Sequence, residues 1–212
     1  SVTYPILSKI QDDDERLISV YRKYIRITSM VIFFGMFLMA SLSKPLILTL
    51  LTDKWTDSII YLQIFCFAYM FDHICQLNLN ILYVKGRSDL VLRLEIIKKT
   101  ISISMIVAAI PFGVLAICIA RALYTQIAVV INTYYTGKLF GLGYFTQVND
   151  FIKYFIYAFL AVLPAFLLSF TSLSSIVLLV VGACLACLIY WFLLRRNNDF
   201  IELLNLVLKR SK

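Results

Sequence analysis

Long stretches without a charged residue are the feature that most limits how this chain can fold. The longest extends from Tyr154 to Leu194 and contains no Asp, Glu, Lys or Arg. A helix needs about 20 apolar residues to cross the hydrocarbon core of a membrane, so this stretch can cross twice, and the polar sequence "TSLSS" at 171–175 is expected to form the turn. Because 61% of the chain is hydrophobic and only 15% is charged, unlike soluble domains, the sequence predicts an all-α integral membrane protein.

Six transmembrane helices are predicted, and "IPFG" at 110–113 separates the third from the fourth. The expected spans are 27–51, 58–84, 93–112, 115–137, 153–170 and 176–194. Residues 1–26 are expected to hold the end of a preceding span and a cytoplasmic connecting helix, and residues 195–212 a cytoplasmic amphipathic tail. Because the first ten residues have the pattern of a helix end and not of a signal peptide, further spans are expected before residue 1.

One of these spans carries a stripe of small residues, "GACLAC" at 182–187. Small side chains let helix backbones approach closely in a membrane, so this stripe is predicted to pack against a neighbouring helix. Its two cysteines have the C-x-x-C spacing of some metal and redox sites, but no second Cys or His pair accompanies them. No metal ligand and no cofactor is therefore predicted.

The lysines and arginines are distributed unevenly between the predicted loops. Five each lie in 1–26, 85–99 and 195–212 and two in 138–153, so seventeen of the twenty lie on one side of the predicted spans. Cationic loops stay on the cytoplasmic side, which places both ends of this chain in the cytoplasm. The net charge of +8 then reflects topology and anionic membrane lipids, and nucleic acid is excluded as a partner because no soluble domain carries a basic patch.

A line of polar side chains runs along the second predicted span. Asp72, Gln76 and Asn80 are four residues apart and share one helix face, with His73 beside them. An ionisable group at the centre of a bilayer costs about 3 kcal/mol on insertion scales, and such groups usually face the interior of a bundle or a water-filled cavity. This line is therefore a candidate functional site.

A second polar line lies in the fourth predicted span, where Arg121, Thr125 and Asn132 share a face. Lys44, in the outer third of the first span, can either extend to the interface or turn inward. These residues supply the positive charge that the first line lacks.

Three interpretations of the two lines remain open. In the first, they border a hydrated cavity for a polar, anionic substrate, with Arg121 and Lys44 supplying positive charge and Asp72 and His73 taking up protons. In the second, Asp72 pairs with Arg121 and the set holds helices together. In the third, they form the active site of an intramembrane enzyme, which is disfavoured because one histidine without a nucleophile or metal cluster does not make a catalytic site. No catalytic residue is predicted.

Four segments carry a resemblance to a known family. The sequences "TYPILSKIQDDDERL", "KPLILTLLTDKWTDSIIYLQIFCFAYMF", "YVKGRSDLVLRLEIIKKTI" and "IPFGVLAICIARAL" resemble the C-terminal half of bacterial polysaccharide exporters of the Wzx and colanic acid exporter type, in the MOP flippase superfamily. The resemblance extends over residues 2–143 and fades through the last two spans. Its most specific signals are the Lys54-Trp55 outer loop and the turn from Gly86 to Asp89.

The resemblance implies a transporter, not an enzyme, in the bacterial inner membrane. The fold would be a two-bundle MOP-type transporter, with about six transmembrane helices of this chain forming most of one bundle. The implied substrate is an oligosaccharide repeat unit on an undecaprenyl-diphosphate type carrier, for lipopolysaccharide, capsule or exopolysaccharide biosynthesis, and polysaccharide polymerase machinery is a further implied partner. Arg121 and Lys44 match the cavity cations expected to meet the diphosphate.

Asp72 and His73 depart from the family pattern, in which an uncharged amide often stands at this point. That departure weakens Asp72 as a general coupling residue. Two alternatives therefore remain: a cation-coupled multidrug antiporter related to the MATE transporters, in which Asp72 would be the cation site, and a membrane scaffold that transports nothing.

Overall fold

The computed structural model describes residues 7–171 and 173–210, with side chains as far as residue 205. Regular structure in these ranges is entirely helical, which confirms the predicted all-α class. The first six residues, which belong to the predicted end of a preceding span, lie outside the described residues. The same holds for the last two residues and for the side chains of 206–210 in the predicted tail.

The helices follow one another with short connections. They are α1 (Asp14–Ser41), α2 (Ser43–Leu50), α3 (Ser58–Tyr69), α4 (Asp72–Val84), α5 (Ser88–Ala109), α6 (Val114–Phe140), α7 (Tyr144–Leu168), α8 (Ser175–Leu194) and α9 (Asn198–Arg210). Single 3-10 turns at Asp53–Trp55 and Ile110–Phe112 follow α2 and α5.

Five segments among the described residues are long and apolar enough to cross a membrane: Asp14–Ser41, Ser58–Val84, Val114–Phe140, Tyr144–Leu168 and Ser175–Leu194. The chain is accordingly a multi-pass membrane protein. Helix α5 is not one of the five, because its first half carries Arg93, Glu95, Lys98 and Lys99. The span predicted for 93–112 stays a prediction.

The first two predicted spans are each divided between two helices. Helix α1 already begins at Asp14, so it includes most of the segment predicted as a cytoplasmic connector. It ends at Ser41 because Pro45, four residues later, lacks an N–H for the Ser41 carbonyl and crowds it. In the second predicted span, α3 ends at Tyr69 and α4 begins at Asp72.

The chain divides into two compact units, and the first consists of residues 1–25 and 68–151. In its described part, α4, α5 and α6 pack against one another. Their apolar core contains Leu79 and Leu82 of α4, Leu90, Val91 and Leu94 of α5, and Ile131, Tyr135 and Phe140 of α6. This three-helix packing positions most of the predicted site residues.

The second unit consists of residues 26–67 and 152–212, and its core lies where α8 meets α1, α2 and α7. Gly182 and Ala186 of α8 pack here against Leu42 and Ala165. A Cβ atom on Gly182 would lie 2.8 Å from Cδ2 of Leu42, so only glycine fits without displacing that side chain. The packing role predicted for the "GACLAC" stripe is confirmed, while its two cysteines are exposed.

Candidate functional site

Arg121 on α6 is the centre of a charged cluster in the first unit. Its guanidinium lies over two aromatic rings, 5.3 Å from the centroid of Tyr69 and 5.2 Å from that of Tyr124. It makes no ion pair or hydrogen bond within the part of the chain that the structure describes. Cation–π contacts hold a guanidinium in place without neutralising its charge, so Arg121 presents a fixed positive charge.

Asp72, in the first turn of α4, carries a carboxylate that interacts electrostatically with Arg121. The positive charges of Arg121 and Lys98 both act on its carboxylate, which is only partly buried. The direct Asp72–Arg121 pairing offered by the second interpretation does not occur among the described residues, since the Asp72 carboxylate accepts no hydrogen bond and joins no ion pair there. The two charges interact over a distance, which leaves both able to meet another group.

Two charged residues of the cluster were missed in the sequence, where 85–99 was treated as a basic loop. Glu95 and Lys98 lie on α5 and form an ion pair of 2.5 Å, with Lys98 only 6% exposed. A signal was present, because Leu90, Leu94 and Lys98 are four residues apart, so Lys98 continues the buried face of that helix.

Asn132 on α6 is fully buried, and its side-chain amide lacks hydrogen-bond partners among the described residues. Neither its amide nitrogen nor its amide oxygen makes a hydrogen bond of normal geometry within the described residues. The Cys75 thiol of α4 is close enough to interact with it. A buried amide without partners costs roughly 1–3 kcal/mol, and such groups often mark a place that a ligand or water fills.

The other predicted residues of this unit differ in their surroundings. Thr125 is buried, and its hydroxyl donates to the Ala122 carbonyl of its own helix at 2.8 Å, so it is occupied. His73 lies beside Asp72, and the Met70 backbone is close enough to interact with its imidazole. Asn80 is partly buried, whereas Gln76 is exposed and points away from the core of the three helices.

Lys44 belongs to the second unit, and its side chain is exposed at the start of α2. It borders a cavity of about 200 Å³ together with residues of α2, α8 and the segment before α8, among them Pro45, Ser169 and Ser175. The cationic role predicted for Lys44 therefore belongs to a different part of the molecule from that of Arg121.

The most deeply buried polar group of α4 is Asn78, which was not predicted as a site residue. Its amide and that of Gln147 exchange two hydrogen bonds of 2.9 and 2.8 Å, and the Thr136 hydroxyl donates to the Asn78 oxygen at 2.6 Å. All three side chains are at most 1% exposed. Because every polar atom of this group has a partner, the group joins α4, α6 and α7 and leaves no position for a ligand.

The cluster on α4, α5 and α6 thus combines two cations, two carboxylates and one unpartnered amide. Fixed cations and amide groups in a low-dielectric setting suit the binding of an anionic group, because charge-assisted hydrogen bonds are strong there. No group of three or more His, Cys, Asp or Glu side chains placed to hold a metal ion occurs in the described ranges.

Comparison with known proteins gives one match. A family model described as a polysaccharide biosynthesis protein matches residues 1–60. No curated protein matches the chain, and no solved structure matches it. The match covers α1, α2 and the 3-10 turn that follows them. In this segment, the chain is similar to polysaccharide biosynthesis proteins.

Proposed function

We propose that this chain is part of a flippase that moves an oligosaccharide, linked to an isoprenoid diphosphate, across the bacterial inner membrane. The observation that carries the proposal is Arg121, a cation on a membrane-spanning helix whose guanidinium contacts two tyrosine rings. Such a charge is costly in a membrane unless it serves a bound anion or an aqueous path. The match to polysaccharide biosynthesis proteins supports a sugar-containing substrate.

In this proposal, the substrate diphosphate meets Arg121, because a guanidinium presents several donors to phosphate oxygens. Lys98 is balanced by Glu95, so Arg121 supplies the cation for the substrate, and the Asn132 amide offers a donor and an acceptor for sugar hydroxyls. Asp72 and His73 take up a proton or cation, which changes the net charge of the cluster during transport. Asn80, Gln76 and Thr125 contribute polar surface, and Lys44 attracts the anionic substrate at the outer end.

The finer features follow from the resemblance to Wzx-type exporters. The chain would supply most of the second bundle of a two-bundle MOP-type transporter, with both ends of this chain in the cytoplasm. Alternating access between the bundles would expose the site first to the inner and then to the outer leaflet. The protein would be a transporter and not an enzyme.

The proposal is tested by removing the cation in the complete protein. Arg121→Ala is expected to lower the export of surface polysaccharide at least tenfold, because charge-assisted hydrogen bonds contribute about 1.5–3 kcal/mol each. Arg121→Lys keeps the charge but loses the planar contact with the two rings, so an intermediate rate is expected. The measurement is surface polysaccharide in cells that depend on this protein for export.

Arg93→Ala is the matched control, because Arg93 is an exposed arginine on the adjacent helix α5. Its export is expected to equal that of the unmodified protein. Normal export by a well-folded Arg121→Ala variant would refute the proposal and leave the scaffold alternative.

A multidrug antiporter is the second candidate, and the unpaired Asp72 carboxylate favours it, since a cation could bind there. Asp72→Asn separates the two candidates. If the protein is an antiporter, Asp72→Asn should abolish cation-dependent drug resistance. If it is a flippase, the substitution should not change the drug susceptibility of the cells. Drug susceptibility and polysaccharide export are measured in the same strains.

A further inference from the structure

The second unit contains a polar cavity at the junction of α7, α8 and α9. It has a volume of about 350 Å³, which is large enough for a phosphate group and its nearest ester atoms. The residues around it are Lys153, Tyr157, Leu193, Arg196, Asn197, Asn198 and Asp199. Two cations and two side-chain amides thus surround one space.

The two cations have no anionic partner of their own. Neither Arg196 nor Lys153 makes a hydrogen bond or ion pair with any described residue, and Lys153 lies over the ring of Tyr154, 5.0 Å from its centroid. Arg195 is not among the residues that line the cavity, and its guanidinium lies 4.0 Å from the centroid of the Phe192 ring. The positive charge of Lys153 and Arg196 is therefore available to a ligand.

Among the described residues that line the cavity, Asp199 carries the one carboxylate, and this carboxylate is already occupied. Asp199 accepts a hydrogen bond of 2.6 Å from the Tyr154 hydroxyl and one of 3.0 Å from Nε of Arg26. Burial alone would raise the pKa of Asp199, but these two donors and the charges of Arg26 and Lys153 lower it below its ordinary value. Arg26 balances the charge of Asp199, and the cavity keeps the positive charges of Lys153 and Arg196.

The side-chain amides complete a set of donors. The Asn197 oxygen accepts from the Asp199 backbone N–H at 2.9 Å, which leaves its amide nitrogen to donate elsewhere. Asn198, the first residue of α9, lines the same space and is exposed. Cations and amide N–H groups are the donors that phosphate oxygens accept from in proteins.

We propose that this cavity binds the phosphate of an anionic phospholipid. The position of the cavity favours a lipid over a soluble phosphate, because Leu193, which lines it, is the penultimate residue of the membrane-spanning helix α8. Leu188, Trp191 and Phe192 on the surface of the same helix are all more than half exposed. A phospholipid could place its acyl chains along this surface while its phosphate enters the cavity. An anionic headgroup fits better than a choline headgroup, whose own cation would face Lys153 and Arg196.

The test uses the complete protein in dodecyl maltoside micelles. Its unfolding temperature is measured while phosphatidylglycerol, phosphatidylcholine or inorganic phosphate is added. Phosphatidylglycerol alone is expected to raise the unfolding temperature of the unmodified protein, because a ligand that binds only the folded state stabilises it. Lys153→Gln and Arg196→Gln should each weaken the apparent affinity for phosphatidylglycerol roughly fivefold, as expected for one cation near a lipid surface.

Arg195→Gln is the matched control, because it removes one charge from the same end of α8 outside the cavity. It is expected to leave the affinity for phosphatidylglycerol unchanged. An equal loss in Arg195→Gln would mean that lipid is attracted only by diffuse charge, and it would overturn the site. Equal stabilisation by inorganic phosphate would overturn the assignment to a lipid. Since Lys153 and Arg196 are both exposed, either variant alone decides the question if the other does not fold.

Discussion

At the scale of single residues, burial separates polar side chains that look alike in the sequence. Gln76, Asn78 and Asn80 alternate along α4, yet Gln76 is exposed, Asn80 is partly buried and Asn78 is completely buried. Asp72 and Gln76 are four residues apart and therefore share one face of the helix. The buried face is instead the one that carries Ile74, Asn78 and Leu82, where an amide must find partners.

Asn78→Ala should destabilise the protein by about 2 kcal/mol. The substitution removes the bonds of the buried Gln147 amide and Thr136 hydroxyl to Asn78 and leaves the Gln147 oxygen without its donor. Such losses cost roughly 1–3 kcal/mol, or somewhat less per bond between membrane helices. Gln76→Ala is the control on the same helix and should change the stability by less than about 0.5 kcal/mol. The measurement is denaturant-induced unfolding in micelles, and equal stability of the two variants would contradict the role given to Asn78.

At the scale of elements, the turn between α6 and α7 depends on glycine. Helix α6 ends at Phe140, and the φ of 68° at the following Gly141 lies in the left-handed region that glycine adopts easily. The chain then returns so closely that Gly143 contacts Gly137 of the preceding helix. This tight return brings Gln147 of α7 next to Asn78 and Thr136.

Gly137→Ala should destabilise the protein by roughly 1–3 kcal/mol, the usual cost of forcing an extra methyl group into a packed site. Its Cβ atom would lie 2.9 Å from Cα of Gly143 and 3.3 Å from its nitrogen, and a backbone cannot move aside as a side chain can. Gly35→Ala on α1 meets no atom within 4 Å. It should stabilise its helix by about 0.5–1 kcal/mol, and thermal unfolding of both variants should show opposite shifts.

At the scale of the whole molecule, ion pairs join segments that are far apart in the chain within each unit. In the first unit, Arg22 forms two hydrogen bonds of 2.8 Å with Asp150, which is 6% exposed. In the second, Arg26 and Tyr154 both donate to Asp199. The basic residues of 1–26 were predicted only as determinants of topology, and two of them also hold the tertiary structure.

Asp199 should make the stability of the protein depend on pH. Because the pKa of Asp199 is lower in the folded protein than its ordinary value of 3.8, its contribution is fully present above that value and is lost as the pH falls through the lowered pKa. Asp199→Asn should therefore be less stable than the unmodified protein at neutral pH, with the difference shrinking in acid. Unfolding temperatures from neutral pH to about pH 3 test this.

Asp57→Asn is the control for that experiment, since Asp57 is exposed and forms no ion pair with a described residue. Its stability should follow that of the unmodified protein at each pH. A constant gap between Asp199→Asn and the unmodified protein over the whole range would contradict the role of the Asp199 carboxylate.

Much of the fold could be predicted because its signals are local. The charge-free stretches predicted an all-helical membrane protein, and the small residues at 182–187 predicted a helix face that packs against a neighbouring helix. The polar patterns placed Asp72 on α4 and Arg121 and Asn132 on α6, two helices that pack together, but Glu95 and Lys98 were overlooked. A functional role for these residues stays a prediction. Glu95 and Lys98 both lie in the stretch 85–99, which was counted as a basic loop. The burial of Lys98 depends on how α5 packs against its neighbours, which the sequence does not give.

The sequence by itself determined that this chain forms membrane helices, because apolar length and unpaired backbone groups in lipid leave few other structures. It also determined where charged loops interrupt them. Only the tertiary structure decided which polar side chains meet. Asn78 and Gln147 are 69 residues apart, and Arg26 and Asp199 are 173 apart. Such meetings depend on how each helix is rotated about its axis, and packing against neighbouring helices sets that rotation.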